Sequence, residues 1–264
     1  MKKYWLIAPV LLITFLMSVA GCNPAIQADR DILYQASTIG ALMKGIYEGQ
    51  VTLGELRPYG DFGLGTFEAL DGEMVELDGK FYQVKLDGSV HAVADSVKTP
   101  FAAVTFFDND KAVNLESQVD LNALQSFIDT LLPGVNLFYA VRIDGKFSYM
   151  KTRSVPAQIQ PYPLLTDAIK GQQVLEFKDV EGTMIGFRCP PYIEGVNVPG
   201  YHFHFLDKDR KQGGHVLECT TYDVKIVVDK TAGMIMALPD TPGFNALNFG
   251  AGSVEGLKQV EQGK

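Results

Sequence analysis

The sequence predicts an α+β protein with two β-rich halves, built from mixed or antiparallel sheets and a few helices. Three observations lead to this fold class. Short segments of alternating polar and apolar residues occur on both sides of residues 155–170, Asp-Gly pairs separate several of them, and helical periodicity is confined to short stretches in between. Asp-Gly favours the type I′ turn that joins neighbouring antiparallel strands, because both central residues need a positive φ.

The first 21 residues have the pattern of an export signal. Lys2 and Lys3 precede an apolar run over residues 4–17, and small residues lead to Cys22. Val-Ala-Gly-Cys at 19–22 resembles a bacterial lipobox, which predicts an exported protein that is lipid-anchored at the extracytoplasmic face of a bacterial membrane. A plain secretory signal with an incidental cysteine, or an uncleaved anchor, is the alternative. No later stretch reaches the ~18 apolar residues of a membrane span.

Helices and a β-meander follow in the N-terminal half. Ser37 or Thr38 can cap a first helix that ends near Gly49, and a second short helix is expected over Leu53–Leu56. A longer helix capped near Asp120 comes later. The Asp-Gly pairs predict an antiparallel meander over residues 62–93, continued by a strand over 101–107, with turns at 71–72, 78–79 and 87–88.

Mostly strands are expected in the remainder of the chain. A fourth turn of the same type is predicted at Asp144-Gly145, and a helix near residues 164–170. Residues 239–252 are rich in Gly, Pro and Asn and predict a loop before a last short helix. The strand segments after residue 174 are VLEFKDV, TMIGFRC, YHFHFLD, GHVLECTTYDVKIVVD and MIMALP, and the last helix is suggested by Val254, Leu257, Lys258 and Glu261.

The domain division follows from these elements. It comprises a signal over residues 1–21, a polar tether over 22–33, an N-terminal domain over 34–160 and a C-terminal domain over 161–264. The net charge is −8 for the chain and −10 without the two signal lysines, and no basic cluster occurs, which excludes a nucleic-acid partner. Two cysteines besides Cys22, Cys189 and Cys219, are too few for a disulfide framework, and whether they pair is left open.

Three of the four histidines are close together in the sequence. His202 and His204 belong to one predicted strand, and because side chains alternate along a strand they lie on the same face. If the polar turn that follows closes on Asp209-Arg210, His204 lies opposite His215 and His202 opposite Leu217. Cross-strand neighbours on one face have Cβ atoms about 5 Å apart. The three imidazoles therefore converge in this register.

Three histidine ligands with a position left for water or substrate are typical of a catalytic zinc site. Imidazole also binds iron, nickel and copper, so the residues alone do not select zinc. The alternative is a polar hairpin face with unrelated histidines. His91 stands alone in the predicted meander and is interpreted as a structural residue.

Four long segments, in order along the chain, resemble the alpha-acetolactate decarboxylase family. They are GDFGLGTFEALDGEM at 60–74, KTPFAAVTFF at 98–107, NLFYAVRIDGKFSYMKTRSVP at 136–156 and VPGYHFHFLDKDRKQGGHVL at 198–217. The resemblance implies conversion of 2-acetolactate to (R)-acetoin and CO₂ with a bound Zn²⁺, and it implies a homodimer. Its three zinc ligands correspond to His202, His204 and His215.

The resemblance also carries over four further site residues. The family's acidic residue corresponds to Glu73, its active-site threonine to Thr66 and its arginine to Arg153. A glutamate of the C-terminal tail corresponds by position to Glu261, although Glu255 is an alternative. Without the resemblance, each of these side chains has an ordinary structural explanation.

Decarboxylation of a β-keto acid needs stabilisation of the enediolate that CO₂ leaves behind. A metal ion that chelates the adjacent ketone and hydroxyl oxygens supplies it, and the metal site is expected between or beside the two halves. Arg153 can hold the substrate carboxylate in bidentate fashion, and Glu73 and Glu261 are the two candidate proton donors. The competing hypotheses are a non-catalytic, cupin-like lipoprotein that binds metal or solute, and a different metal lyase or hydrolase.

Overall fold

The computed structural model describes Met1, residues 30–249 and residues 256–262. The predicted export signal, Cys22 and most of the predicted tether lie outside the described residues. Within those ranges no helix is long and apolar enough to cross a membrane. The described chain is mixed α+β, as predicted. It forms a seven-stranded sheet, a five-stranded sheet and a two-stranded ladder.

The strands and α-helices are numbered in chain order. The strands are β1 (Ile32–Ala36), β2 (Val51–Thr52), β3 (Phe62–Thr66), β4 (Glu73–Leu77), β5 (Lys80–Val84), β6 (Val90–Ala92), β7 (Lys98–Thr99), β8 (Ala102–Thr105), β9 (Lys111–Leu115), β10 (Phe138–Ser154), β11 (Gln173–Cys189), β12 (Gly200–Asp207), β13 (Gly213–Thr231) and β14 (Gly233–Ala237). The helices are α1 (Ile39–Met43), α2 (Leu53–Leu56), α3 (Leu121–Leu131), α4 (Leu165–Ala168), α5 (Pro242–Asn245) and α6 (Leu257–Gln262).

The predicted meander is confirmed in the seven-stranded sheet, whose order is β14-β1-β8-β3-β4-β5-β6. β3, β4, β5 and β6 pair antiparallel in sequence order. The strand expected to continue the meander, β8, instead pairs with β3 and β1. At the β4–β5 turn both Asp78 and Gly79 have a positive φ, at 52° and 69°, as the type I′ turn requires. Asp71, with φ −76°, does not adopt that turn.

The turn predicted at Asp144-Gly145 is wrong, because both residues lie inside β10. Gly145 has a φ of 147°, and a Cβ at this position would overlap the Asp223 carbonyl oxygen of β13. The Asp144 carboxylate accepts hydrogen bonds from Arg142 Nε (2.7 Å) and Thr183 Oγ1 (2.8 Å). The glycine therefore permits the close approach of two long strands, and it does not reverse the chain.

The five-stranded sheet closes on itself through the long strand β10. β10 pairs antiparallel with β11 on one edge and with β13 on the other, and β12 pairs with both β11 and β13. Two segments read as separate strands, VLEFKDV and TMIGFRC, are parts of the single strand β11. β9 extends the sheet along the distal part of β13.

Most helices agree with the sequence in position more than in length, but α5 lies within residues 239–252, where the sequence predicts a loop. α2 spans the predicted residues, and Thr52 and Glu55 form a reciprocal capping box. Asp120 caps α3 by accepting a hydrogen bond from Ala123 N. α1 begins after Thr38 as expected but ends at Met43, before Gly49. Gly45 adopts a φ of 83° and its N–H bonds to the Leu42 carbonyl, which terminates the helix early.

The two sheets do not follow a division of the chain at residue 160. β9 and β10 precede that position but belong to the five-stranded sheet, whereas β14 joins the other sheet beside β1. β1 begins at Ile32, inside the segment predicted as tether, and buries Leu33. The sheets share an apolar cluster that includes Leu64, Val75, Ile185, Phe187 and Leu206. Cys189 and Cys219 are both buried free thiols.

Candidate metal centre and active site

The β12–β13 hairpin brings the three histidines together. His204 pairs with His215, Phe205 with Gly214 and Leu206 with Gly213, which confirms the predicted register. The pairing ends at His204, so the expected partnership of His202 with Leu217 is wrong; His202 pairs with Phe187 of β11 instead. From His204 towards the start of β12, the two strands diverge, and a pocket opens between them.

The ring nitrogens of these histidines converge on one point. His202 Nε2 lies 3.2 Å from His204 Nε2 and 3.1 Å from His215 Nδ1. All three ligand atoms lie within 4.8 Å of one another, and all three side chains are buried. Among the described residues this is the one group of three such side chains that could hold a metal ion.

Two backbone carbonyl groups fix which nitrogens face that point with a lone pair. His204 Nδ1 lies 2.8 Å from the Met74 carbonyl oxygen, and His215 Nε2 lies 2.9 Å from the Glu261 carbonyl oxygen. A carbonyl oxygen only accepts, so these two nitrogens donate their protons outward. His204 Nε2 and His215 Nδ1 are then free to bind a cation. Metal-binding histidines usually donate a hydrogen bond from their other ring nitrogen in this way.

The electrostatics favour neutral imidazoles. Burial, with a smaller contribution from the Arg153 charge, lowers the pKa of His202 to about 3. Burial lowers the pKa of His204 and His215 well below the ordinary value, and the neighbouring imidazoles and Arg153 act in the same direction. His202 Nδ1 is buried without a hydrogen-bond partner. Three neutral nitrogen donors around one point fit a divalent ion such as zinc.

Glu73, the first residue of β4, lies beside this group. Its Oε2 is 3.5 Å from His204 Nε2, and its Oε1 accepts a hydrogen bond from Arg153 Nη1 at 3.2 Å. Burial raises the pKa of Glu73 to about 7, Glu261 adds to the shift, and Arg153 opposes it. A carboxyl group with a pKa near neutrality can both donate and accept a proton under physiological conditions.

Arg153 and Thr66 reach the same cavity from β10 and β3. Arg153 is opposite His215 in the β10–β13 ladder, and its Nε is buried without a partner. Thr66 is opposite Glu73 in the β3–β4 ladder. Its hydroxyl donates to the Gly72 carbonyl at 2.7 Å, so Thr66 braces the turn that leads into Glu73.

Glu261 arrives on helix α6. Its Oε2 lies 3.6 Å from His202 Nε2, and its side chain is 9% exposed. Burial raises the pKa of Glu261 to about 7, with Arg153 opposing the shift. The helix is held by Leu257 and Val260, which pack in an apolar cluster with α1 and α4. The alternative residue, Glu255, and Val254 lie outside the described residues.

Two cavities meet at these side chains. A small cavity of about 30 Å³ is lined on its polar side by Thr66, Glu73, Arg153, His202, His215 and Glu261. An open pocket of about 660 Å³ shares three of them, namely His202, His215 and Glu261. His202, His215 and Glu261 therefore lie between the two cavities.

The structure adds site components that sequence reasoning missed. The Met74 carbonyl sets the tautomer of His204, and no sequence signal marks it because every residue has a carbonyl group. The apolar wall of the small cavity includes Ile39, Leu42, Phe101 and Leu165. Helical periodicity identifies Ile39 and Leu42 as an apolar helix face, but not what that face covers.

Carboxyl groups with a pKa near neutrality, set beside a group that could hold a metal ion, are suited to proton transfer. This combination of fold and site defines the protein as an enzyme. Comparison with known proteins then specifies its family. A family model described as alpha-acetolactate decarboxylase matches residues 33–251, a range that contains every site residue above except Glu261.

Individual relatives agree with the family model. The chain is 47% identical over 232 residues to the alpha-acetolactate decarboxylase of Methanosarcina mazei, covering 88% of this chain and 81% of the relative. It is 40% identical to that of Bacillus subtilis, covering 82% and 85%. The crystal structure of the B. subtilis protein superimposes with a TM-score of 0.85 at 37% identity, covering 87% of this chain and 99% of that one. The chain belongs to the alpha-acetolactate decarboxylase family of carboxy-lyases.

Proposed function

We propose that the chain converts 2-acetolactate to (R)-acetoin and CO₂ at the cavity beside His202, His204 and His215, with Zn²⁺ held by these three residues. The observation that carries this proposal is the convergence of three ring nitrogens within 4.8 Å, next to a buried Glu73–Arg153 pair. A bound zinc ion supplies a Lewis acid that stabilises negative charge on the substrate oxygens.

Arg153 orients the substrate. The residue is 4% exposed and lines the small cavity, and its Nε has no hydrogen-bond partner. A planar guanidinium binds a carboxylate through two parallel hydrogen bonds, which fixes the plane of the carboxylate. In that plane the breaking C–C bond can align with the ketone π-system. Because CO₂ departure removes the carboxylate charge, this alignment, and not tighter substrate binding, is how Arg153 accelerates the step.

Glu73 and Glu261 handle the proton that follows. After CO₂ leaves, one face of the enediolate must be protonated to give a single enantiomer, which requires a fixed acid. Burial raises the pKa of each carboxyl group, which favours the protonated form that a proton donor needs. α6 forms one wall of the small cavity at Glu261, and this wall reduces the access of bulk water, which would otherwise protonate either face.

An assay of acetoin and CO₂ release from racemic acetolactate tests this function. We expect activity that is abolished by a chelator and restored by Zn²⁺, with about one zinc per chain. His204→Ala should lower both metal content and activity, whereas His91→Ala, at an exposed histidine outside the site, should change neither. Metal binding without turnover would favour a cupin-like binding protein, and hydrolysis of another substrate a different metal enzyme. Full activity of a metal-free variant would contradict the proposal.

We further propose that the protein is exported, anchored through a lipid on Cys22, and dimeric. The lipobox-like residues 19–22 support the anchor, and a homodimer is what the family resemblance implies. Cys22→Ser should move the protein from the membrane fraction to the soluble fraction or stall its processing. Unmodified Cys22 on a soluble wild-type protein would indicate an ordinary secretory signal, and sedimentation at the monomer mass would exclude the dimer.

A further inference from the structure

The open pocket of about 660 Å³ leads directly to the metal centre. Its walls come from the beginning of α3, from the diverging strands β12 and β13, and from α6. His202, His215 and Glu261 form its inner end, and the same three side chains bound the small cavity behind them. Any molecule that approaches the histidines from this side passes along α6.

The charges lining this pocket are unbalanced. Among the described residues that line it, the acidic side chains are Asp120, Glu194, Glu218 and Glu261, and the one basic side chain other than histidine is Lys258. Glu218 is paired with Lys151 at 2.8 Å. Lys258 is exposed and, within the described parts of the chain, has neither a hydrogen bond nor an ion pair. It lies three residues before Glu261 on α6, so both side chains are on the same face of that helix.

We propose that Lys258 steers the anionic substrate into this pocket and towards the histidine group. The inference rests on the proposed function, in which the substrate carries a carboxylate. Carboxylate groups around the pocket repel an anion, and an unpaired ammonium group one helical turn from Glu261 offsets that repulsion where the anion must pass. A charge at the mouth of a cleft raises the local concentration of an oppositely charged ligand, and added salt weakens this effect.

Lys258 acts before the chemical step, so its effect belongs in KM. In Lys258→Met we expect KM for acetolactate to rise about threefold to tenfold at low ionic strength, with kcat and zinc content unchanged. The difference in KM between Lys258→Met and wild type should largely disappear at about 0.5 M salt, because electrostatic interactions then reach only a few ångströms. Lys258→Arg keeps the charge and should keep the KM.

Two further variants separate charge from structure. Glu194→Lys combined with Lys258→Met places a positive charge elsewhere on the same pocket and removes one carboxylate, so it should restore much of the KM. Lys80→Met removes an exposed lysine from β5 that does not line the pocket, and it should leave KM unaltered. A KM unchanged in Lys258→Met, or a KM rise that is independent of salt and not restored by Glu194→Lys, would overturn the inference.

A binding measurement keeps this test separate from the proposed function. 2-Hydroxy-2-methylpropanoate has the hydroxyl and carboxylate groups but no ketone, so it cannot lose CO₂. Its dissociation constant, measured by calorimetry on the zinc-loaded protein, should rise in Lys258→Met by the same factor as KM. If the unaltered protein forms no acetoin, the proposed function fails; if the dissociation constant does not respond to Lys258→Met, the steering inference fails.

Discussion

Two buried glutamates of strand β4 have different neighbours on opposite faces of the sheet. Glu73 and Glu76 are three residues apart, so they project from opposite faces of the seven-stranded sheet. Glu73 faces the histidine group and pairs with Arg153. Glu76 is completely buried beside an apolar cluster, and neither of its carboxylate oxygens has a hydrogen-bond partner.

Burial is the largest cause of the raised pKa at both positions. It raises the pKa of Glu73 to about 7 and the pKa of Glu76 to about 8. At Glu76 the Asp61 charge adds to the shift and Arg57 opposes it. The comparison teaches that a shifted pKa does not by itself mark a catalytic acid. The groups within reach of the carboxyl, here His204 and Arg153, make the difference.

The largest effect is expected when glutamine replaces Glu73, and the same substitution at Glu76 is its control. Glu73→Gln removes the transferable proton and should lower kcat for acetoin formation about 100- to 1,000-fold, with zinc retained. Glu76→Gln should leave kcat unaltered. Steady-state kinetics with metal analysis of both variants provides the measurement. Equal losses in the two variants would mean that burial of a carboxyl group on β4, and not its position in the site, supports activity.

Arg153→Lys tests the contribution of the guanidinium group that hydrogen-bonds to Glu73, whereas Glu76 has no hydrogen-bond partner. The lysine keeps the positive charge near Glu73 but loses the planar pair of donors. We expect kcat to fall about 10- to 100-fold because the substrate carboxylate is no longer held in the reactive plane. Zinc content, measured by atomic absorption, should not change. A fully active lysine variant would show that charge alone suffices.

Glu261→Gln tests whether the carboxyl group of Glu261 contributes to catalysis, as is expected for Glu73, or does not, as is expected for Glu76. We expect about a tenfold loss of rate, or acetoin of reduced enantiomeric purity, because the fixed acid near the enediolate is removed. Glu255→Gln is the matched control and should match the wild type. Chiral gas chromatography of the product measures both outcomes. Normal (R)-acetoin from Glu261→Gln would leave Glu73 as the proton donor.

An effect on stability, and none on catalysis, is expected at Glu76. Its pKa in the folded state, about 8, exceeds the ordinary value of 4.5. Folding therefore favours the protonated form, and stability is lost as the pH rises from about 4.5 to about 8. Glu76→Gln cannot ionise, so it should gain about 4 kcal/mol relative to wild type on going from pH 5 to pH 9. Urea unfolding at both values measures this, and parallel pH profiles would contradict it.

The β12–β13 hairpin that carries the three histidines could be predicted from sequence because its determinants are local. Alternation along β12 and a turn centred on Asp209-Arg210 suffice to align His204 with His215. The false turn at Asp144-Gly145 has the opposite cause. A glycine with positive φ serves a hairpin turn and a close approach between strands equally well, and only the distant strand β13 distinguishes the two.

The remaining site could be predicted only in part, for the same reason. Glu73, Arg153 and Thr66 were identified through family resemblance, because nothing local separates Glu73 from Glu76 as a site residue. Alternation predicts that they lie on opposite faces, but which face carries the site depends on how the two sheets pack. The hydrogen bond from His215 to the Glu261 carbonyl joins residues 46 positions apart and leaves no trace in either segment.

The spacing of the site residues along the chain also sets an order of assembly during folding. The three histidines lie on adjacent strands connected by one turn, whereas Glu73, Arg153 and Glu261 come from distant segments. Closing a short loop costs less conformational entropy than closing a long one, so the hairpin forms at a lower entropic cost than the complete site. The lower entropic cost therefore favours bringing the three imidazoles together before Glu73, Arg153 and Glu261 join them.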